Sequence, residues 1–298
     1  MKALSFGEIL WDIFPDSRCL GGAPLNVAGH LARLGVEACI VSALGKDPLG
    51  SEALELMKAN HIDTRYVESL PDIETGFTRI KLTAGIPEYE FNFPCAWDSI
   101  ALAPRHKEAI LAEKWDVFCF GTLSQRSETS RVTLREILQK IDPAIVFCDI
   151  NLRKQFYSRE ILEWSLEHSD ILKMNDEESP IVSSLLRESA VFDEKELYAW
   201  LIEKFALKGI LVTRGKKGVS AYFDGKEYAH TPSDVKVVDT VGAGDSFSAA
   251  FLVSLFTGKS IPRALELATD LADFVVSRSG ALPEYDQAIR TKLKEIVL

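Results

Sequence analysis

The sequence predicts an α/β protein: a doubly wound, mostly parallel sheet flanked by helices, with a small β lid. Three observations predict it. Short apolar segments alternate with amphipathic stretches of about three turns through most of the chain, which is the rhythm of βαβ units. From Val241 onward the pattern is almost wholly helical. Between Thr64 and Phe93 it breaks into two alternating segments around a turn, and such a hairpin inserted in a doubly wound domain is a natural cover over a site.

In chain order, Ala3 to Ile9 reads as the first strand, and Pro24 to Leu34 carries apolar residues at helical spacing until Gly35 stops it. Ala38 to Ala43, Val117 to Phe120, Ala144 to Cys148, Asp170 to Met174 and Gly209 to Thr213 read as further strands. Gly50 to Ala59, Ser127 to Gln139 and Ile161 to His168 read as helices between them. Gly218 to Phe223 and Lys226 to Ala229 flank Asp224-Gly225, a strong hairpin signal. In the irregular region, Thr75 to Leu82 and Tyr89 to Phe93 alternate around a turn at Gly85 to Pro87. No internal repeat, Pro-rich linker or low-complexity tail interrupts the chain. Residues 1–298 therefore read as a single domain, with a lid formed by about 11–20 and 64–95.

Composition excludes several classes. At 47% hydrophobic and 26% charged residues the chain is that of a soluble globular protein, and its apolar runs fall short of the ~18 residues of a membrane span. With 34 Lys+Arg against 44 Asp+Glu the formal charge is -10, and no basic tract suits a nucleic-acid backbone, so neither nucleic acid nor membrane is an expected partner. The five cysteines, Cys19, Cys39, Cys95, Cys119 and Cys148, form no CxxC pair and read as reduced core residues. The opening MKALSFGEIL has no apolar leader region, which makes a cytoplasmic location the expectation. The histidines are scattered without ligand spacing, and no G-x-S-x-G elbow occurs, so zinc chemistry and an esterase are disfavoured.

The strongest chemical signal is Asp239-Thr240-Val241-Gly242-Ala243-Gly244-Asp245-Ser246-Phe247, leading into a helix. Small residues at Gly242, Ala243 and Gly244 let backbone N–H groups converge at a helix mouth, where the macrodipole also favours an anion. Asp245 sits in that first turn as an ionised carboxylate, placed to take a proton from a hydroxyl as phosphate arrives. Gly258-Lys259-Ser260 imitates the end of a P-loop, but Val253 stands where its glycine would be, so the triplet reads as one helix ending and another starting. No G-x-G-x-x-G follows the first strand, which disfavours a dinucleotide enzyme.

A second motif is Gly21-Gly22-Ala23-Pro24-Leu25-Asn26-Val27-Ala28, where glycines let the chain pass close to a ligand before a helix bearing one amide. Asp12, expected in the loop after the first strand, could face the same polyhydroxy compound with Gly22 and Asn26. Asp149 to Arg153 and Asn175 to Glu178 each follow a strand, at the edge where such folds keep their sites. Glu178 is the best candidate for Mg²⁺, held through water. Thr213 to Gly218 places a hydroxyl, bare backbone and cations after a strand, which suits polyphosphate or ribose, although a tight turn has the same composition.

The GGAPLNVA and DTVGAGDSF stretches, in this order and at this distance, resemble the two signatures of the ribokinase-like (PfkB-type) sugar kinases over essentially the whole chain. The resemblance implies a doubly wound α/β domain with a small β lid, in which ATP phosphorylates a primary alcohol. It implies Asp245 as the base, with Gly242, Ala243 and Gly244 stabilising the transferring phosphoryl, and Asp12, Gly22 and Asn26 holding sugar hydroxyls. Asn175 and Glu178 match the family's Asn-x-x-Glu magnesium motif. Thr213, Gly215 and Gly218 match its nucleotide-phosphate turn, and the helix around Ser277 would border the adenine. Asp239 and the turn through Gly280 would bind a monovalent cation such as K⁺.

The opening Gly7 to Asp12 is most similar to fructokinases, so D-fructose, with Arg153 as a sugar-side contact, is the expected acceptor. One departure is that Pro94 and Cys95 follow Phe91-Asn92-Phe93 where a fructokinase commonly has a basic residue, and Arg79 could supply that charge. The alternatives are 2-keto-3-deoxygluconate or ribose as acceptor, and, outside the enzymes, a non-catalytic sugar- or nucleotide-binding module. A homodimer joined through the lid is a further expectation.

Overall fold

The computed structural model describes residues 1–83, 86–187 and 193–298, without the side chains between 80 and 90. Its first third contains β1 (Lys2–Phe6), β2 (Leu10–Ile13), β3 (Arg18–Gly21), α1 (Ala23–Arg33), β4 (Glu37–Gly45), α2 (Pro48–Ala59), β5 (Val67–Leu70), β6 (Gly76–Thr83) and β7 (Ile86–Phe91). The middle contains α3 (Pro104–Ala112), β8 (Val117–Gly121), α4 (Glu128–Leu138), β9 (Ile145–Asp149), α5 (Arg159–Glu167), β10 (Ile171–Asn175), α6 (Glu178–Leu186) and α7 (Glu194–Phe205). The remainder is β11 (Gly209–Thr213), β12 (Val219–Phe223), β13 (Lys226–His230), α8 (Ala243–Phe256), α9 (Ile261–Val276) and α10 (Gln287–Leu293).

Among the described residues, nine strands make one sheet in the order β13-β12-β11-β10-β9-β8-β1-β4-β5. Every neighbouring pair from β11 to β5 is parallel, and β12 and β13 add an antiparallel edge. Both faces are covered, which is why these strands are apolar throughout. Along β8, Val117 and Cys119 enter the layer built on α1, α8 and α9 with Leu31, Phe251 and Leu267. Phe118 and Phe120 enter the opposite layer with Leu134 of α4, Leu162 of α5 and Leu197 of α7. The doubly wound architecture is thus present. No helix among the described residues is long and apolar enough to cross a membrane.

The lid is a separate four-stranded sheet in the order β3-β2-β6-β7. Its boundaries differ from the sequence expectation. Residues 67–70 form β5 and pair with β4 in the main sheet, and Cys95 to Trp97 are buried in the core. The first strand ends at Phe6, so Gly7 to Ile9 form the passage into the lid. Asp12 lies inside β2, opposite Cys19 and Thr78, and not in a loop. Arg79 is paired with Ile13, one residue out of phase with Asp12, so it stands on the other face of the lid and over the Phe77 ring. It cannot supply the missing charge beside Asp12. Lys154 instead brings its ammonium to 4.1 Å from the Phe91 ring centroid. Gly85, which begins the expected lid turn, lies outside the described residues, as does Ala84. All five cysteines are free, and Cys19 is exposed on the lid, contrary to its expected place in the core.

Candidate active site

The parallel strands bring the carboxyl ends of β1, β8, β9, β10 and β11 to one edge, and the chain on either side of β1 winds in opposite directions. This is where doubly wound folds hold ligands.

Gly22 caps α1 with φ 120°, and a Cβ there would lie 2.2 Å from the Glu8 carbonyl oxygen, so only glycine lets the chain pass. One turn on, buried Asn26 donates from Nδ2 to Asp245 Oδ2 at 2.8 Å, while its Oδ1 has no partner. The amide read as a polyol contact therefore also orients the carboxylate of the second motif.

Gly242 caps α8 with φ 78°, and a Cβ there would meet Ala281 at 2.7 Å. No side chain caps this helix, and its first i to i+4 bond runs from the Ser246 N–H to the Gly242 carbonyl at 2.8 Å. The N–H groups of Gly242, Gly244 and Asp245 thus have no intrahelical acceptor, and that of Ala243 makes only a 3.4 Å contact with the Thr240 carbonyl. Two of these residues, Ala243 and Gly244, line a cavity of about 510 Å³ together with Thr213, Gly215 and Gly218, with apolar walls from Val235, Phe247 and Val276.

The helix around Ser277 does border this cavity, but through Ala272, Asp273 and Val276. Ser277 itself donates to the Phe274 carbonyl at 2.7 Å as the helix end. Asn175 is also absent from the cavity lining, and its Oδ1 accepts the Glu178 N–H at 2.8 Å, which starts α6. Glu178 is 6% exposed and accepts from the N–H of Leu152 at 2.7 Å and of Asn175 at 2.8 Å. Asp239 accepts from the N–H of Val241 and of Gly280, both at 3.0 Å, and so ties the α8 approach to the turn through Gly280.

Electrostatics concentrates at the same edge. Burial pushes Asp245 up to about 6, helped by the nearby Asp149 charge and opposed by the Asn26 hydrogen bond, Lys173 and Arg153. The carboxylate expected to be simply ionised is held near the pH at which it can both take and release a proton. Burial likewise raises Asp12, with Arg153 opposing.

Two residues were not singled out as site residues, although Glu8 lies within the fructokinase-like opening. Glu8 is 3% exposed with Oε2 unpartnered, and burial followed by the Asp245 charge pushes it up to about 7. Lys173 is 5% exposed and ion-paired with Asp149, and the site of a Cβ on Gly244 would be 3.2 Å from its Nζ. Burial pulls the Lys173 pKa down, but the charges of Asp149, Asp245 and Glu178 outweigh it and the net shift is upward. A lysine inside the apolar run Ile171-Leu172-Lys173-Met174 is the signal that could have found it, because a buried charge must be paired.

Fold and cleft together define a class: a doubly wound α/β protein with a β lid over a strand-end cleft that joins a helix N-terminus to a large apolar-walled cavity. Residues 17–287 match the pfkB family carbohydrate kinase model, and the chain belongs to that family. It is 31% identical to a fructokinase of Klebsiella pneumoniae, over 98% of this chain and 96% of the relative. It is 28% identical to a 5-dehydro-2-deoxygluconokinase of Clostridium beijerinckii, over 93% of this chain and 84% of the relative. Among solved structures it is similar to a fructokinase of Xylella fastidiosa with bound ATP, with a TM-score of 0.83, 22% identity and coverage of 99% and 96% of the two chains.

Proposed function

We propose that this carbohydrate kinase transfers the γ-phosphoryl of ATP to the primary hydroxyl of D-fructose, giving fructose 6-phosphate, with Asp245 as general base. The observation that carries the chemistry is the 2.8 Å hydrogen bond from Asn26 to Asp245, which joins the N-terminal glycine motif to the C-terminal one across 219 residues. It supports a single cleft in which Asp245 acts as base between the α8 N-terminus and the acceptor residues.

In the reaction, the sugar oxygen attacks the γ-phosphorus as its bond to the β-phosphate oxygen breaks, and the hydroxyl proton passes to Asp245. A pKa of about 6 leaves Asp245 mostly ionised at neutral pH and still basic enough to accept that proton. Charge spread over the equatorial oxygens meets N–H groups fixed at a helix N-terminus, which need no reorganisation at the moment of transfer. The Lys173 ammonium adds positive charge at Gly244. The cavity from Thr213 and Gly218 to Val276 takes the nucleotide, and Gly215 borders its phosphates.

Magnesium fits this chain as an ion held through water. Each Glu178 oxygen already accepts one N–H and keeps a lone pair for a metal-bound water, with Asn175 beside it. When bound, the ion neutralises polyphosphate charge. We place a monovalent cation, K⁺ for example, at Asp239 and the Gly280 turn.

For the acceptor, the Arg153 charge opposes the upward shift of Glu8, Asp12 and Asp245 alike, which groups the three acids around one field. A carboxylate sugar entering this group of acids would meet like charge, which favours a neutral polyol over 2-keto-3-deoxygluconate. Asp12, Gly22, Asn26 and Arg153 are the groups to bind its hydroxyls. A coupled ATP-consumption screen over hexoses, pentoses and aldonic acids tests this: D-fructose should give the highest kcat/KM. A tenfold preference for an acid sugar, or for ribose, refutes the acceptor assignment, and no turnover with any sugar leaves the binding-module alternative.

A further inference from the structure

The loop after β9 carries Arg153, and two of its residues hold left-handed backbone without being glycine: Asn151 at φ 41° and Lys154 at φ 51°. Such a segment keeps its shape only when its surroundings over-determine it. Its holds are specific. The Ile150 carbonyl accepts from the Thr122 hydroxyl, the Ile150 N–H donates to the Lys173 carbonyl at 3.1 Å, and the Leu152 N–H donates to Glu178 Oε1 at 2.7 Å. The last of these lies beside Arg153. The other Glu178 oxygen is held by the Asn175 N–H at the end of β10. One buried carboxylate therefore bridges the end of β10 to the loop that carries Arg153.

We propose that Glu178 is a positioning residue for the sugar-binding loop, acting through the Leu152 N–H on Arg153, in addition to serving the metal. It follows that metal occupancy at Glu178 and sugar affinity are coupled: a water-bound ion drawing on the same carboxylate changes the hold on Leu152, and reciprocity requires the sugar to change metal affinity by the same factor. The inference rests on the sugar-kinase reading above but concerns direct sugar binding, which needs no turnover.

The test is calorimetric titration of D-fructose into nucleotide-free protein in EDTA. Glu178→Gln, which keeps size but turns one acceptor into a donor, and Glu178→Ala should each weaken fructose about tenfold or more. Asn175→Ala, which keeps the carboxylate, should weaken it far less. Adding Glu178→Gln to Arg153→Ala should produce little further loss, the non-additivity expected when one residue acts through the other. In wild type, fructose affinity should change at least threefold between ADP with EDTA and ADP with Mg²⁺, and amide exchange across 150–154 should change with it. A fructose affinity within twofold of wild type in Glu178→Gln overturns the proposal alone. Should the variants not fold, unchanged affinity and unchanged exchange in wild type on adding Mg²⁺ overturn it equally. A wild type that binds no sugar at all overturns both this proposal and the reading beneath it.

Discussion

The two halves of the cleft are built from different material. On the side proposed for the nucleotide the groups are backbone: the open N-terminus of α8, the Gly242 cap and the turn from Thr213 to Gly218, set against an apolar-walled cavity. On the side proposed for the sugar they are side chains brought from separate elements: Glu8 from the passage after β1, Asp12 from the lid, Asn26 from α1 and Arg153 from the loop after β9. Backbone donors recognise what every phosphoryl transfer shares, whereas side chains recognise what differs between acceptors. If the proposed roles hold, the two halves are separable by mutation.

The largest effect should come where the halves meet. Asp245→Asn preserves shape and the first-turn position but removes the base, and kcat should fall by roughly 10²- to 10⁴-fold while sugar and ATP affinities move little. Steady-state kinetics with calorimetry on the variant would check this, and near-normal turnover would remove Asp245 from the mechanism. In wild type, the acid limb of kcat/KM should have an apparent pKa of about 6, since activity needs the ionised form and burial raises Asp245 to that value.

On the nucleotide side, Lys173→Met removes the ammonium beside Gly244, and by analogy with loss of one oxyanion donor kcat should drop roughly 10²- to 10³-fold. Fructose affinity should be less affected. If the loss fell on fructose affinity instead, Lys173 would belong to the other half of the comparison.

On the sugar side, Asp12→Asn should raise KM for fructose about tenfold, the size expected for a weakened charged hydrogen bond, with kcat largely retained. A kcat loss as large as that of Lys173→Met would blur the division.

A last effect concerns stability and not turnover. Glu8 is raised to about 7 in the folded state against an ordinary value near 4.5, so the fold binds its proton more tightly than the unfolded chain does. Its destabilising contribution is absent below pH 4.5, grows as pH rises toward 7 and is constant above, reaching at most about 3 kcal/mol. Glu8→Gln should therefore gain Tm relative to wild type at pH 8 and not at pH 4.5. Thermal melts at both values would show it, and an equal difference at the two would contradict the buried titration.

Legibility in the sequence depended on whether the signal was local. The nest at Gly242 to Asp245 and the turn at Gly215 and Gly218 could be read because small residues next to a helix or strand are a local pattern. The hairpin of β2 and β3 and the short strand β5 could not: with residues such as Asp12, Arg18 and Glu68 they lack a clean apolar alternation, and pairing to distant strands makes them strands. Arg79 failed as a substitute cation for the same reason, because which lid face a side chain takes depends on register with β2 and not on its neighbours in sequence.

What the sequence by itself determined is the alternation of strands and helices, the apolar runs that require a sheet covered on both faces, and the glycine-bracketed helix start that presents Asp245. These are properties of contiguous residues, set by periodicity and by backbone conformations open to glycine. Only the tertiary structure decided that Asn26 meets Asp245, that Lys173 stands against Gly244, that Glu178 holds the loop of Arg153 and that Glu8 is buried beside them. The order of strands in the sheet and the packing of α1 on α8 bring these groups together. Both arise from long-range burial, in which each residue's neighbours are chosen by the whole chain, and no local pattern records the choice.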